Sequence, residues 1–403
     1  MKQTEVGEIP FDWEVKLLLD ICEFSSGKAH EQYIHEQGQY ICVNSKFIST
    51  DGRIRKYSTK NIWPAQKNDI LMVMSDLPNG KALAKTFFVG KDDIYAVNQR
   101  ISRLRPVSGS AEFLYFLLNR YSYFLKFDDG VNQTNLTNGV FQNCPIALPP
   151  TLAEQDAIGT TLRDITDYLS ATDTLISKKR DIKQGALQRL MTGKSRLPGF
   201  SKEWQRLRLE ELGVISGAGV DKKIETNENP VTLLNYLDVY RRRFILPSDL
   251  NHRVTCNDAQ AIKCNIRSGD VFFTPTSETP DDIAQSAVAV NDISNAVYSY
   301  HTVRLRFSMP MDVNFSAFLF ESSDFRSQTV RAAEGSGTRY VITLPRFRSL
   351  SVLVPPLDEQ REIGRILSDM AAEIDALVAQ RAKIALIKTG MMQELLTGRT
   401  RLL

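Results

Sequence analysis

The feature that most constrains this chain is that it contains the same long segment twice. EQDAIGTTLRDITDYLSATDTLISKKRDIKQGALQRLMTGKSRL, beginning at Glu154, aligns without a gap on EQREIGRILSDMAAEIDALVAQRAKIALIKTGMMQELLTGRTRL, beginning at Glu359, with identical residues at more than a third of the positions. Just upstream, LPPTLAEQ stands beside VPPLDEQ with one inserted residue. Self-similarity at this scale makes duplication the organising fact of the fold.

Both copies read as long helices. Ile158, Leu162, Ile165, Leu169, Thr172 and Ile176 alternate steps of four and three, and Ile363, Leu367, Met370, Ile374, Leu377, Ile384, Ile387 and Met391 form a comparable stripe. A stripe this narrow is a coiled-coil seam. Pro149-Pro150 and Pro355-Pro356 stop the strand before each helix, and Gly193 and Gly398 provide the stop after it. Some 40 helical residues at ~1.5 Å each would give a rod of about 60 Å. The reading is an antiparallel pair with pseudo-two-fold symmetry; the alternative is that each helix packs separately on its own globule. The basic residues closing LMTGKSRL and LLTGRTRL read as charges that favour the helix dipole.

The segments between the helices repeat more faintly. Trp13 answers Trp204, Asn44 answers Asn235, and KNDILMVM at 67–74 answers SGDVFFTP at 268–275. NQRISRLRP at 98–106 shares with YHTVRLRF at 300–307 the Arg-Leu-Arg of residues 103–105 and 304–306. Short β-rich runs alternate with helical stretches such as AEFLYFLLNRYSYFLKF and with loops such as DGVNQTNLTNG and EGSGTRY, which predicts α+β globules. The domain order is a globule over 1–147, a central helix over 148–197, a second globule over 198–353 and a C-terminal helix over 354–403. A chain of 403 residues is long enough for two such cores.

Composition excludes several classes. Apolar residues at 42% and charged residues at 24% are those of a soluble globular protein, and a net charge of +3 does not by itself demand a polyanionic partner. Five scattered cysteines lack the pairing of a disulfide framework or zinc site, and Cys256 and Cys264 read as buried structural thiols. The start MKQTEVGEIPFDWEV lacks a basic-then-apolar leader, and no run of about 18 apolar residues occurs, so a cytoplasmic protein that does not span a membrane is expected. His30 and His35 in HEQYIH are five apart, about 140° around a helix, so they cannot share a metal and read as surface histidines. ISGAGVDKK, from Ile215, lacks the third glycine of a nucleotide loop and reads as a turn, and Glu14-Val15-Lys16 lacks the upstream acid of a nuclease motif. With no P-loop or methyl-donor motif, the balance leans toward binding.

What remains is positive charge interleaved with aromatic and amide groups. The first globule gathers Lys46, Arg53, Arg55, Lys56, Tyr57 and Lys60, and the second gathers Tyr240, Arg241, Arg242 and Arg243 at a corresponding place. Such clusters neutralise phosphates, and Arg, Asn and Gln can read base edges. Either cluster alone reads slightly better as a charged edge strand that blocks aggregation; finding one in each half shifts the balance toward double-stranded DNA. Asn132 and Gln133, with Asn135 and Asn138, are further polar candidates, although a plain turn explains them nearly as well.

The Pro-Pro-Leu-x-Glu-Gln openings (Pro355 to Gln360, and Pro149 to Gln155 with one extra residue), the long helices and the Leu-Thr-Gly-basic-x-Arg endings resemble the specificity subunit of type I restriction-modification systems. The resemblance spans nearly the whole chain, from Pro10 to Arg401. It implies that the globules are two target recognition domains, each reading half of a bipartite, asymmetric DNA sequence, with the helices as an antiparallel spacer. It implies no catalytic residue and no metal in this chain. Two methyltransferase (M) subunits dock on it and bring the restriction (R) subunits of a phage-defence complex, and S-adenosylmethionine, ATP and Mg belong to those partners. The recognition subunit of a type IIB enzyme is a close alternative, and a chain that itself modifies DNA is a more distant one.

Overall fold

The computed structural model describes residues 1–77 and 80–402. It divides into two compact units, one of residues 1–173 with 379–403 and the other of residues 174–378. Each unit holds one globule and segments of both long helices, Leu152–Leu190 and Leu357–Leu395.

In the first unit a four-stranded antiparallel sheet runs in the order Cys22–Ser26, Ile101–Pro106, Ile70–Val73, Thr86–Phe88. A second sheet pairs Tyr95–Val97 in parallel with Tyr40–Val43, and Lys56–Ser58 forms its edge. The second unit repeats this plan. Its sheet runs Gly213–Ser216, Val303–Phe307, Val271–Phe273, Ser286–Ala289, then Phe244–Ile245, and Asn229–Leu234 pairs in parallel with Ile293–Tyr298. Runs matched in the sequence therefore lie side by side in both sheets: Ile70–Val73 beside Ile101–Pro106, and Val271–Phe273 beside Val303–Phe307.

The repeated Arg-Leu-Arg has a structural use. Arg105 holds Asp69 through two hydrogen bonds of 2.8 and 2.9 Å, and Arg306 holds Asp270 through two of 2.7 and 2.6 Å. Both carboxylates are buried, so the forked guanidinium supplies the partners that water cannot. Arg103 donates to the Pro64 carbonyl, and Arg304 to that of Asn265.

The helices pair antiparallel within each unit. In the first, Arg381 bonds Asp173 and Gln380 donates to the Tyr168 hydroxyl; in the second, Lys179 meets Glu373 at 2.6 Å. Ile158, Leu162, Thr172, Ile176 and Leu187 are buried on the central helix, as are Ile363, Leu367, Ile374, Ile384 and Leu395 on the C-terminal one. Ile387, expected on the seam, is 47% exposed instead. The inward positions there step from Ile384 to Lys388, whose ammonium lies 5.8 Å from the Phe116 ring, and on to Met391, which leaves Ile387 outside. Lys183 sits likewise over Phe318 in the second unit.

The two duplicated motifs join each helix start to the end of the other helix. Arg401 donates to both Glu154 oxygens and both Asp12 oxygens, and Arg196 donates to both oxygens of Glu359. The Trp204 indole N–H adds a third donor to Glu359 at 3.0 Å. The carboxylates of Glu154 and Glu359 are 1% exposed. These hydrogen bonds hold the pKa of both guanidinium groups above its ordinary value. The closing arginines are therefore partners of buried carboxylates; the dipole reading is corrected because each reaches across to the opposite helix. Next to Glu154, Gln155 accepts from the Ser110 N–H and donates to the Pro149 carbonyl; Gln360 does the same with Asp312 and Pro355. Gly398, in a left-handed conformation with φ of 69°, packs against Pro10 and Trp13, and Gly193 packs against Trp204.

Two further repeated glycines let a helix of the globule approach each long helix. A Cβ at Gly159 would stand 2.8 Å from the Phe113 nitrogen, and one at Gly364 would stand 2.5 Å from that of Phe315. Gly185 and Gly390, also a matched pair, face open space. Gly159→Ala and Gly364→Ala should each destabilise the chain by about 1–3 kcal/mol, whereas Gly185→Ala and Gly390→Ala should stabilise it by up to ~1 kcal/mol. Thermal melts of the four variants check this, and equal shifts would refute the packing argument. Removing one partner from a buried carboxylate is costly, so Arg401→Ala should cost on the order of 3 kcal/mol, while Asp12→Ala, at an exposed carboxylate that solvent screens, should cost far less. Urea titrations distinguish the two.

Candidate nucleic-acid interface

The basic cluster of the first globule forms around a short helix, Ser45–Ser49, capped by the Asn44 side chain, which accepts from the Phe47 N–H at 2.9 Å. Phe47 and Ile48 anchor the helix in the core, which leaves Lys46 exposed. Arg53 and Arg55 follow in the loop, each bonding a backbone carbonyl through Nε (Thr50 and Gly52). Lys56 and Tyr57 lie exposed on the edge strand Lys56–Ser58, and Lys60 stands over the Tyr33 ring at 5.0 Å. The structure thus brings these residues into one segment, and among the described residues Lys46, Arg53, Arg55 and Lys56 form no ion pair.

The second cluster follows the equivalent helix, Tyr236–Tyr240, with Asn235 at its start. Tyr236 and Tyr240 stack with ring centroids 6.0 Å apart, and their hydroxyls are anchored on the Thr276 carbonyl and the Asp282 carboxylate. The three arginines that follow are not alike. Arg242 meets Asp238 and Asp249, and Arg243 meets Glu321 while its guanidinium covers the Phe318 ring at 4.5 Å. Arg241 is exposed and has no ion-pair partner among the described residues. It borders an open groove of about 420 Å³ lined also by Lys222, Asn235, Tyr236, Asn251 and His252. Lys222, Asn251 and His252 were not singled out in the sequence, because residues isolated along the chain leave no pattern until the fold gathers them.

Asn132 and Gln133 lie, exposed, just before the strand Thr134–Asn135, which pairs with Ser75–Asp76. Asn132 bonds Asp129 within the loop, and Gln133 Nε2 donates to Ser75 Oγ at 2.7 Å. His35 is exposed as expected, but His30 is buried: its Nδ1 lies 2.7 Å from the Lys28 carbonyl and its Nε2 accepts from the Ile62 N–H, so the ring serves as an internal strut. All five cysteines are free and buried, and burial pushes Cys22 and Cys144 up to about 12 and Cys42 to about 11. Among the described residues no group of three or more His, Cys, Asp or Glu could hold a metal, and no helix is long and apolar enough to cross a membrane.

Comparison with known proteins decides the family. The profile described as "Type I restriction modification DNA specificity domain" matches residues 10–179 and again residues 201–386, once on each repeat. The chain belongs to the type I restriction-modification specificity family. It is 23% identical over 423 residues to the type I restriction enzyme MjaVIII specificity subunit of Methanocaldococcus jannaschii, covering 99% of this chain and 96% of that one. It is also 22% identical over 262 residues to the StySPI specificity subunit of Salmonella potsdam, covering 62% of this chain and 56% of that one. The crystal structure of the type I S subunit from M. genitalium shares its fold, with a TM-score of 0.62 over 98% of both chains at 14% identity. The chain is thus a DNA specificity subunit, and its clusters of exposed basic and amide side chains belong to the domains that the family defines.

Proposed function

We propose that this specificity subunit reads a bipartite, asymmetric DNA target, one half with each globule, and docks two methyltransferase subunits and, through them, restriction subunits. S-adenosylmethionine, ATP and Mg act on those partners, and this chain contributes recognition. The observation that carries this reading is the double family match laid over two globules of the same plan that differ in their exposed side chains. One scaffold used twice with different surfaces suits a target whose two halves differ in sequence. Lys46, Arg53, Arg55, Lys56, Tyr57 and Lys60 in the first globule, and Tyr240 and Arg241 in the second, supply the phosphate-directed charge and stacking surface. Arg242 and Arg243 hold that surface in place through Asp238, Asp249 and Glu321.

Each helix has residues in both units, and at ~1.5 Å per residue a 39-residue helix measures about 58 Å, or roughly 17 base pairs of B-DNA. Helix length is therefore the natural ruler for the unspecified base pairs between the halves. Arg241→Ala should weaken duplex binding about equally for all sequences and reduce the slope of log K against log salt by about 1, with methyltransferase assembly unchanged. Binding isotherms at several salt concentrations check this; an unchanged slope removes Arg241 from the interface. Inserting one helical turn in each helix adds ~5.4 Å and should lengthen the unspecified gap by one or two base pairs. Mapping methylated adenines in cells carrying the insertion reads the gap directly, and an unaltered gap rules out the ruler.

A further inference from the structure

Both units carry an added strand at the same edge of the globule, and its register can be matched residue by residue. In the first, Thr134 pairs with Asp76 and Asn135 with Ser75; in the second, Tyr340 pairs with Ser277 and Val341 with Thr276. Ser75 and Asp76 follow Asp69 and its strand at the same distance as Thr276 and Ser277 follow Asp270. The next residue inward is buried in both cases: Leu136 donates its N–H to Met74 O at 2.8 Å, and Ile342 to Pro275 O at 3.0 Å. One residue further, Thr137 and Thr343 each stand at the start of a short helix. This register makes Gln133 and Arg339 equivalent positions, one residue before the matched pairs. Both are exposed.

The surroundings favour a reading element over a solvated turn. In the second unit the strand is half of a hairpin, Glu334–Ser336 with Arg339–Val341, closed by Gly337 in a left-handed conformation with φ of 67°. Its base is fixed by buried Ile342 and by an ion pair between Arg346 and Glu334, while the tip from Ser336 to Arg339 is exposed. The same edge adjoins the groove-side helix, because the Tyr236 hydroxyl donates to the Thr276 carbonyl at 2.7 Å. A two-stranded ribbon fits the major groove, where arginine pairs with guanine O6 and N7, and a glutamine carboxamide reads the exocyclic amino group and N7 of adenine. Arg339 has no side-chain partner among the described residues. Gln133 is steadied by Ser75, and its Oε1 has no partner among the described residues. The pairing register, the buried residue that follows it and the threonine at the next helix start are repeated, whereas the hairpin partner Glu334–Ser336 belongs to the second unit and the exposed side chain differs, Gln133 against Arg339.

Resting on the bipartite reading above, we infer that Gln133 and Arg339 are register-equivalent base-reading residues. Arg339 selects a guanine in one half site, and Gln133 selects an adenine in the other. The test is enrichment of a randomised duplex pool by the full chain assembled with its host methyltransferase subunits, using wild type, Gln133→Ala and Arg339→Ala. Wild type should enrich two separated blocks of sequence. Arg339→Ala should lose at least about fivefold of the preference for guanine at one position in one block, and Gln133→Ala the same for adenine at one position in the other, each leaving the opposite block intact. Arg339→Gln should change the base preferred at the arginine-dependent position. Variants that keep both wild-type blocks, or that both alter the same block, overturn the assignment. A wild-type assembly that enriches no sequence overturns the bipartite reading, and this inference with it.

Discussion

The fold depends on a buried carboxylate at the start of each long helix. Glu154 and Glu359 are excluded from water, and a charge in that state is tolerated only where its partners are fixed and complete. Each finds an arginine just beyond the end of the opposite helix, and Arg401 reaches Glu154 across 247 residues of sequence. The neighbouring glutamine ties the same helix start to the globule, and the glycine before each arginine lets the chain turn against Pro10 and Trp13 or against Trp204. Helix start, helix end and globule are thus locked at one point in each unit by groups that have no other way to satisfy their hydrogen bonds.

This arrangement separates scaffold from surface. The Arg105–Asp69 and Arg306–Asp270 pairs, the capped helices after Asn44 and Asn235, and the parallel strand pairings recur in both units. A change at either arginine would leave the buried Asp69 or Asp270 carboxylate short of its partners. The exposed positions are under no such restriction: the lysine-rich segment of one unit corresponds to a tyrosine-arginine segment in the other, and Gln133 corresponds to Arg339. A specificity subunit needs both properties, since the geometry of presentation must stay fixed while the sequence read can change.

The duplication, the two helices and the strand pairs matched by KNDILMVM with SGDVFFTP were legible because periodicity and repetition are properties of the chain itself. So was the existence of a basic cluster in each half, although the sequence read YICVNSKFI as a strand-forming run where the chain turns into the short helix Ser45–Ser49 after Val43. The difference among Arg241, Arg242 and Arg243 was not legible, because Asp249 and Glu321 come from other parts of the chain and only folding brings them into range. His30 was misplaced for the same reason: its partners, Lys28 O and the Ile62 N–H, are backbone groups that leave no trace in residue identity. Ile387 left the seam because a stripe of apolar residues does not say which of its members the globule beside it will cover.

The sequence by itself determined that this chain is one α+β unit written twice with two long helices, and the motifs at the helix ends pointed to the family. The tertiary structure decided what those motifs do and which charges remain available. Repetition and hydrophobic period are local and survive in one dimension. The pairing of Arg401 with Glu154, the neutralisation of Arg243 by Glu321 and the strand registers that make Gln133 and Arg339 equivalent positions are long-range, and exist only once hydrogen-bond demand in a water-free interior has chosen among the partners that the chain offers.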